Sequence, residues 1–384
     1  MRTPSDDTSL PAWTYRDPAF FALERERVLR PSWQVVCHAS DVPQPGDFHT
    51  FEFLGELLFV VRGADGEVRG FHNVCRHRAA RLLDGARGSC RRIVCPYHAW
   101  AYELDGRLVG VTDRDAFPAL DFAAHGLAGV ETEVCAGFVF VRLASGGPSV
   151  AEMMAPYAAE IARHSFERLQ PLGRVTLRPR AVNWKNVGDN YSDGLHIPVA
   201  HPGLTRLFGR SYRVESHEWI DRMSGELETR PSSNLSERAY QKFLPDDRAP
   251  GPERPRSWVY LKLWPNLAFD VYPDQVDFMQ WIPVSPTETV IREIAYALPD
   301  ERREMRAARY LNWRINRRVS AEDKALIERV QAGMASSSYR AGPLGASEVA
   351  LRSFGARMRA LIPECRELAP PAAFESGASR APKH

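Results

Sequence analysis

Two short arms, NVCRHR at 73–78 and CPYHAW at 95–100, constrain this chain more than any other feature. One residue separates Cys75 from His77, two separate Cys95 from His98, and residues 78–94 lie between His77 and Cys95. Two thiolates and two imidazoles so paired suit a [2Fe–2S] cluster in which one iron takes both cysteines and the other both histidines. Neutral imidazoles raise the reduction potential above that of an all-cysteine cluster, so such a centre relays electrons. The alternative is a structural zinc site, because two cysteines and two histidines also suit tetrahedral Zn²⁺. Zinc fingers, however, usually place the two cysteines on one arm and the two histidines on the other. Tyr97, Trp100 and the turn Asp105-Gly106 fit a cluster lid on a small antiparallel β domain.

A second signal is NWKNVGDNYSDGLHIPVAH at 183–201. His196 and His201 are five residues apart. On an unbroken helix that spacing leaves the rings about 140° apart, so they would not face one ion. Pro198 disfavours a regular turn between them, and a broken helix can bring them together. Asp193, three residues before His196, shares its helical face. Two histidines and a carboxylate with open positions make the facial triad of non-haem Fe(II) oxygenases. The carboxylate can come from SAEDKALIERVQAG at 320–333, where Asp323 lies in the first turn of a helix beginning near Ser320. Ser320 and Asp323 resemble a capping box, although Glu or Gln is the usual partner. The competing role for Asp323 is a helix N-terminal acid that complements the macrodipole.

With these motifs the chain resembles the Rieske non-haem iron oxygenases, the α subunits of the ring-hydroxylating oxygenase family, from about Trp33 to Phe354. The ending YRAGPLGASEVALRSF belongs to the same resemblance. It implies that Cys75, His77, Cys95 and His98 hold the [2Fe–2S] cluster and that His196, His201 and Asp323 hold the catalytic Fe(II). It also implies that Asp193 links the centres through His98 and His196 of different subunits, which makes the assembly a head-to-tail homotrimer. Asn190 would sit close to the iron. There are two departures. Ala79 and Ala99 stand where the family often has glycine. The three-residue spacing of Asn190 and Asp193 looks more like the demethylating monooxygenases than the naphthalene-type dioxygenases, which carry one more residue there. The C-terminal ending and LAFDVYPDQVDFMQWIPVSP at 267–286 look most like the branch that oxidises choline, glycine betaine, carnitine and proline betaine, although the choline enzymes space their acid differently.

The expected activity is that of an oxygenase component using O₂ to hydroxylate a small organic substrate, with N- or O-demethylation of a quaternary ammonium or other methylated compound as the sharper form. Electrons would come from a separate NAD(P)H-linked reductase or ferredoxin, because the chain has no nucleotide-binding glycine motif. An aromatic-ring dihydroxylating dioxygenase is one alternative; a Rieske electron-transfer protein with a non-catalytic binding domain is another. Tyr260, Trp264, Phe269, Tyr272, Phe278 and Trp281 are candidate pocket walls, unless they are core residues. Converging aromatics could cage a quaternary ammonium by cation–π attraction or stack on an aromatic substrate.

The 384 residues suffice for two cores. An α+β fold is expected: a small antiparallel β domain, then an antiparallel sheet with covering helices around the iron pocket. The division reads as an N-terminal helical segment at 1–32, a cluster domain at 33–145, a catalytic domain at 146–368 and a disordered tail at 369–384. Helices are predicted at 17–30, 151–164, 300–318, 320–333 and 346–361, and a loop over the site or a surface insertion at 231–257. The arginine-rich stretch 301–318 reads as a solvated helix face with intrahelical ion pairs or as a docking face for an acidic electron donor. A net charge of +2 gives no reason to expect nucleic acid or an acidic membrane. With no apolar leader and no spanning run, the expected compartment is the cytoplasm. Six cysteines do not suggest a disulfide scaffold. Cys37 and Cys135 read as buried thiols, and Cys90 and Cys365 have no assigned role.

Overall fold

The computed structural model describes residues 7–244 and 256–375. The chain divides into two compact units, one of Arg30–Glu152 with Ser165–Gln170, the other of Met1–Leu29, Met153–His164 and Pro171–His384.

In the first unit, seven strands among the described residues form one antiparallel sheet, with Phe138–Arg142 between Gln34–His38 and Gly129–Cys135. Phe138–Arg142 is buried throughout, as its apolar run FVFV requires of an interior strand. Asp47–Phe53 and Glu56–Arg62 form a hairpin whose two turn residues, Leu54 and Gly55, both have positive φ (54° and 80°). That is the turn geometry matching the right-handed twist of paired strands. A second sheet of Ile93–Val94, Ala101–Tyr102 and Leu108–Gly110 carries the second Cys/His arm. Gly129–Cys135 is a strand that the sequence reading did not pick out.

In the second unit, an antiparallel sheet of eight strands among the described residues includes the successive neighbours Ser257–Leu263, Leu267–Val271, Val276–Ser285 and Glu288–Ala297. Thr176–Arg180 pairs along the last of these. Four expectations are corrected here. The N-terminal segment is not a separate piece: Lys185 Nζ meets Glu24 Oε1 at 2.6 Å with both side chains fully buried, and Tyr15 donates to Asp189 at 2.6 Å. The two helices expected at 300–318 and 320–333 are one helix, Arg303–Gly333. No Gly or Pro interrupts it before Gly333, and an interior serine costs only about 0.5 kcal/mol of propensity, so Ser320 does not start a helix. The tail expected to be disordered begins with a short helix, Ala372–Glu375, and Phe374 packs its ring 5.9 Å from Trp13; residues 376–384 lie outside the described residues. Within the expected loop at 231–257, Leu235–Phe243 is a helix capped by Asn234, while residues 245–255 lie outside the described residues.

None of the six cysteines is in a disulfide. Cys37 is buried as expected, whereas Cys135, at the end of its strand, is only half-buried. No helix among the described residues is long and apolar enough to cross a membrane.

Candidate metal centres and their cavity

The two Cys/His arms fold into matching loops. Cys75 N–H bonds to Ala80 O at 2.8 Å and Ala79 N–H to Cys75 O at 3.1 Å; Cys95 N–H bonds to Trp100 O at 2.8 Å and Ala99 N–H to Cys95 O at 3.0 Å. Both loops therefore turn through a left-handed residue, Ala79 at φ 58° and Ala99 at φ 54°. Each alanine costs about 1 kcal/mol relative to glycine there, which explains both why glycine suits these positions and why alanine is accommodated. Cys75 and Cys95 are each 3 % exposed, whereas His77 and His98 are half-buried with ring centroids 4.8 Å apart. Trp100 stacks flat on His77 at 4.8 Å and Tyr97 on His98 at 3.7 Å. Tyr102 Oη lies 3.3 Å from Cys75 Sγ and accepts the Arg76 N–H at 3.1 Å. Thiols inward and imidazoles outward separate the ligand types, as a cluster with two differently ligated irons needs.

The second centre depends on a helix that stops. Trp184–Ser192, capped by Asn183, ends at Asp193, whose backbone is extended (φ −82°, ψ 125°). Asp193 Oδ1 accepts the Leu195 N–H at 2.7 Å, and its Oδ2 lies 3.0 Å from His196 Nδ1. Pro198 falls in the first turn of Ile197–Ala200, where a missing donor costs nothing. The break thus lies mainly at residues 193–196, and it turns both histidines inward. His196 Nε2 and His201 Nε2 are 3.1 Å apart, and Asp323 Oδ1 from the long helix lies 3.0 Å from the second and 3.6 Å from the first. Three ligands about 2.1 Å from one ion and at right angles would lie roughly 3 Å apart, so the donor set fits one face of an octahedral ion.

Two contacts support the ligands from behind. Asn190 donates to Asp323 Oδ1 at 2.8 Å. His201 Nδ1 lies 2.9 Å from Glu322 Oε2, a partner the sequence reading missed. Its only signal was adjacency to Asp323, since a ligating histidine commonly gives its other N–H to a carboxylate. Burial lowers the His196 pKa, but the Asp193 and Asp323 carboxylates outweigh it and hold the ring at about 9. Burial raises Asp323, yet its bonds from His196, His201 and Asn190 keep it well below the usual carboxylate range.

Asn190, Asp193, His196, His201 and Asp323 border a cavity of about 670 Å³. Of the six candidate wall residues, Tyr260, Tyr272 and Phe278 border it; Trp264, Phe269 and Trp281 do not. Phe269 is fully buried and pairs in register with Phe278, their rings 5.7 Å apart. Trp281 has the cavity-side phase but is covered by Trp184–Ser192, its ring 5.6 Å from Tyr191. Trp264 packs against Phe354 at 5.2 Å. Tyr191, Tyr212, Asp270 and Asp277 border the cavity and were missed. The arginine-rich stretch is not a uniformly solvated face: Arg306, Arg309 and Arg317 border the cavity, and Arg309 donates to the backbone of Asp274 and Leu298.

Residues 32–121 match the Rieske [2Fe-2S] domain model, and residues 165–364 match that of the ring hydroxylating alpha subunit catalytic domain. The chain is 30 % identical over 339 residues to the carnitine monooxygenase oxygenase subunit of Acinetobacter pittii, spanning 86 % of this chain and 87 % of that protein. It is 36 % identical over 204 residues to the glycine betaine monooxygenase oxygenase subunit of Chromohalobacter salexigens, a match spanning 53 % of this chain and 45 % of that protein. A solved quaternary ammonium Rieske monooxygenase in complex with the substrate gamma-butyrobetaine superposes with a TM-score of 0.75 at 25 % identity, over 94 % of this chain and 99 % of that one.

Proposed function

Because the chain belongs to the Rieske-type ring-hydroxylating oxygenase α subunits, we propose that it is the oxygenase component of a monooxygenase that demethylates a quaternary ammonium compound. The enzyme is a Rieske non-haem iron oxygenase with a [2Fe–2S] cluster, a mononuclear iron and O₂ as co-substrate. We assign the cluster to Cys75, His77, Cys95 and His98, and the iron to His196, His201 and Asp323. When bound, the cluster supplies single electrons and the iron activates O₂.

The protein's own groups do the rest. Asp193 and Glu322 orient the two iron-binding imidazoles, and Asn190 orients Asp323. The tyrosine-lined cavity holds the substrate methyl beside the triad and limits water. Hydroxylating R₃N⁺–CH₃ consumes O₂, two electrons and two protons and gives R₃N⁺–CH₂OH and water. That product collapses to a tertiary amine, formaldehyde and a proton. The electrons come from NAD(P)H through a separate reductase. Asp193, 22 % exposed on its side chain, is assigned to bridge His196 to His98 of a neighbouring copy in a homotrimer. We place the enzyme in the cytosol, where reduced iron and pyridine nucleotide are available.

The observation that carries this reading is the convergence of His196, His201 and Asp323 beside the cavity in a chain that also folds paired Cys/His loops. The test supplies a surrogate reductase and screens carnitine, glycine betaine and choline for substrate-dependent O₂ uptake and formaldehyde. Formaldehyde equimolar with substrate consumed is the expected result. A cis-dihydrodiol retaining both oxygen atoms from an aromatic substrate, with no demethylation of ammonium compounds, contradicts it.

A further inference from the structure

Two carboxylates on the cavity wall lack a cationic partner among the described residues. Asp270 and Asp277 are register partners on adjacent strands, and Tyr260 is the partner of Asp270 on its other side, so the three share one rung of the sheet. All three border the cavity that holds the triad. Asp270 accepts from the Tyr191 hydroxyl and, at 3.3 Å, from the Tyr272 hydroxyl; Asp277 accepts from Gln275 Nε2 at 2.5 Å. Among the described residues neither carboxylate has an ion-pair partner. Glu293, on the same wall, shows the contrast: Arg178 neutralises it at 3.0 Å.

A buried carboxylate without a counter-charge is costly to ionise. Burial accordingly pushes Asp270 up to about 7, and burial together with the charge of Asp270 pushes Asp277 well above its ordinary value. Aromatic surface surrounds the pair. Tyr260 lies 6.1 Å from Tyr191 and 6.3 Å from Tyr272, with ring planes at 89° and 90°, and 6.5 Å from Tyr212. Perpendicular rings bordering one cavity attract a cation through their quadrupoles, and a nearby carboxylate adds Coulombic attraction in a poorly solvated space. Tyrosines alone would also accept a neutral or aromatic group of the same size. The carboxylates would not.

We infer that Asp270 and Asp277, with the surrounding tyrosines, form the subsite for a permanently charged ammonium head, and that the acid pair sets the preference for a cation over an uncharged isostere. This inference rests on the methylammonium reading and names the residues that select its substrate.

The test is calorimetric titration of the iron-loaded full-length protein with choline and with its uncharged isostere 3,3-dimethylbutan-1-ol. Wild type is expected to bind choline about tenfold more tightly than the alcohol. Asp270→Asn and Asp277→Asn, read separately, are each expected to bring that ratio close to unity while leaving the alcohol's affinity unchanged, which also reports an intact cavity. A wild-type protein with no preference for choline overturns the inference, as does a ratio that survives both substitutions. Formaldehyde assays on the same proteins separate the two readings. A ratio that collapses without any demethylation keeps the subsite and removes the reaction. Demethylation with an unchanged ratio does the reverse.

Discussion

Asp193 shows how one carboxylate can organise a centre: it ends a helix, accepts a backbone N–H and holds His196 by its Nδ1. Asp193→Asn keeps the size but weakens the acceptor. Both centres should still load with iron while turnover falls by orders of magnitude; near-wild-type turnover with both sites filled would remove the bridging role. The raised Asp270 pKa sets a pH dependence. In the ligand-free fold this carboxyl keeps its proton until about pH 7, through burial that its bond from Tyr191 only partly offsets, whereas the unfolded chain loses it near 4. Its contribution to stability is thus greatest in acid and is lost as pH rises through about 7. Cation binding needs the ionised form, so choline affinity should rise several-fold between about pH 6 and 8, while that of the uncharged alcohol stays flat. Tyr191, Tyr260 and Tyr272, which face the group, are held well above their ordinary values and stay neutral in this range, and Glu293 is paired. A choline affinity that is flat or falls with pH contradicts the role given to Asp270. The Cys/His arms and the His196–His201 pair were legible because their spacing is local, whereas Asp323 comes from a segment far along the chain. Glu322, Asp270 and Asp277 were not, since nothing in a strand or helix segment records what it will face. Trp264, Phe269 and Trp281 show the same limit from the other side: aromatic count along a strand does not say which rings reach a cavity and which are covered.

At the scale of elements, helix ends decided where the reading succeeded. The spacing and Pro198 pointed to an interruption between His196 and His201, but Ile197–Ala200 is a helical turn and the break lies before His196, where Asp193 ends the preceding helix. The Ser320 cap was misread because a serine three residues before an acid looks the same inside a helix as at its start. The two roles differ energetically. As an interior residue of Arg303–Gly333, Ser320→Ala should leave stability unchanged or raise it by up to about 0.5 kcal/mol. Loss of a true N-cap would cost about 1 kcal/mol. Urea unfolding distinguishes these, and a clear loss would mean that the long helix is divided in solution. The strand Gly129–Cys135 escaped notice because GVETEVC is short, carries two glutamates and has no apolar run. Its pairing with Phe138–Arg142 supplies what its own residues lack.

At the scale of the molecule, the α+β class and the two kinds of centre were legible, but a linear division into successive domains was not how the chain packs. Residues before Arg30 and those at 153–164 join the unit that holds the triad, through burials such as the Lys185–Glu24 pair that connect distant positions. The account depends most on two separate iron sites within one chain. Iron analysis of the wild-type protein, with EPR of its reduced form, should give about three irons per chain and a Rieske-type signal. His201→Ala should retain about two irons and the full signal yet lose all substrate-dependent formaldehyde release. A His201→Ala protein that keeps the third iron and turns over substrate would contradict the assignment of the catalytic centre.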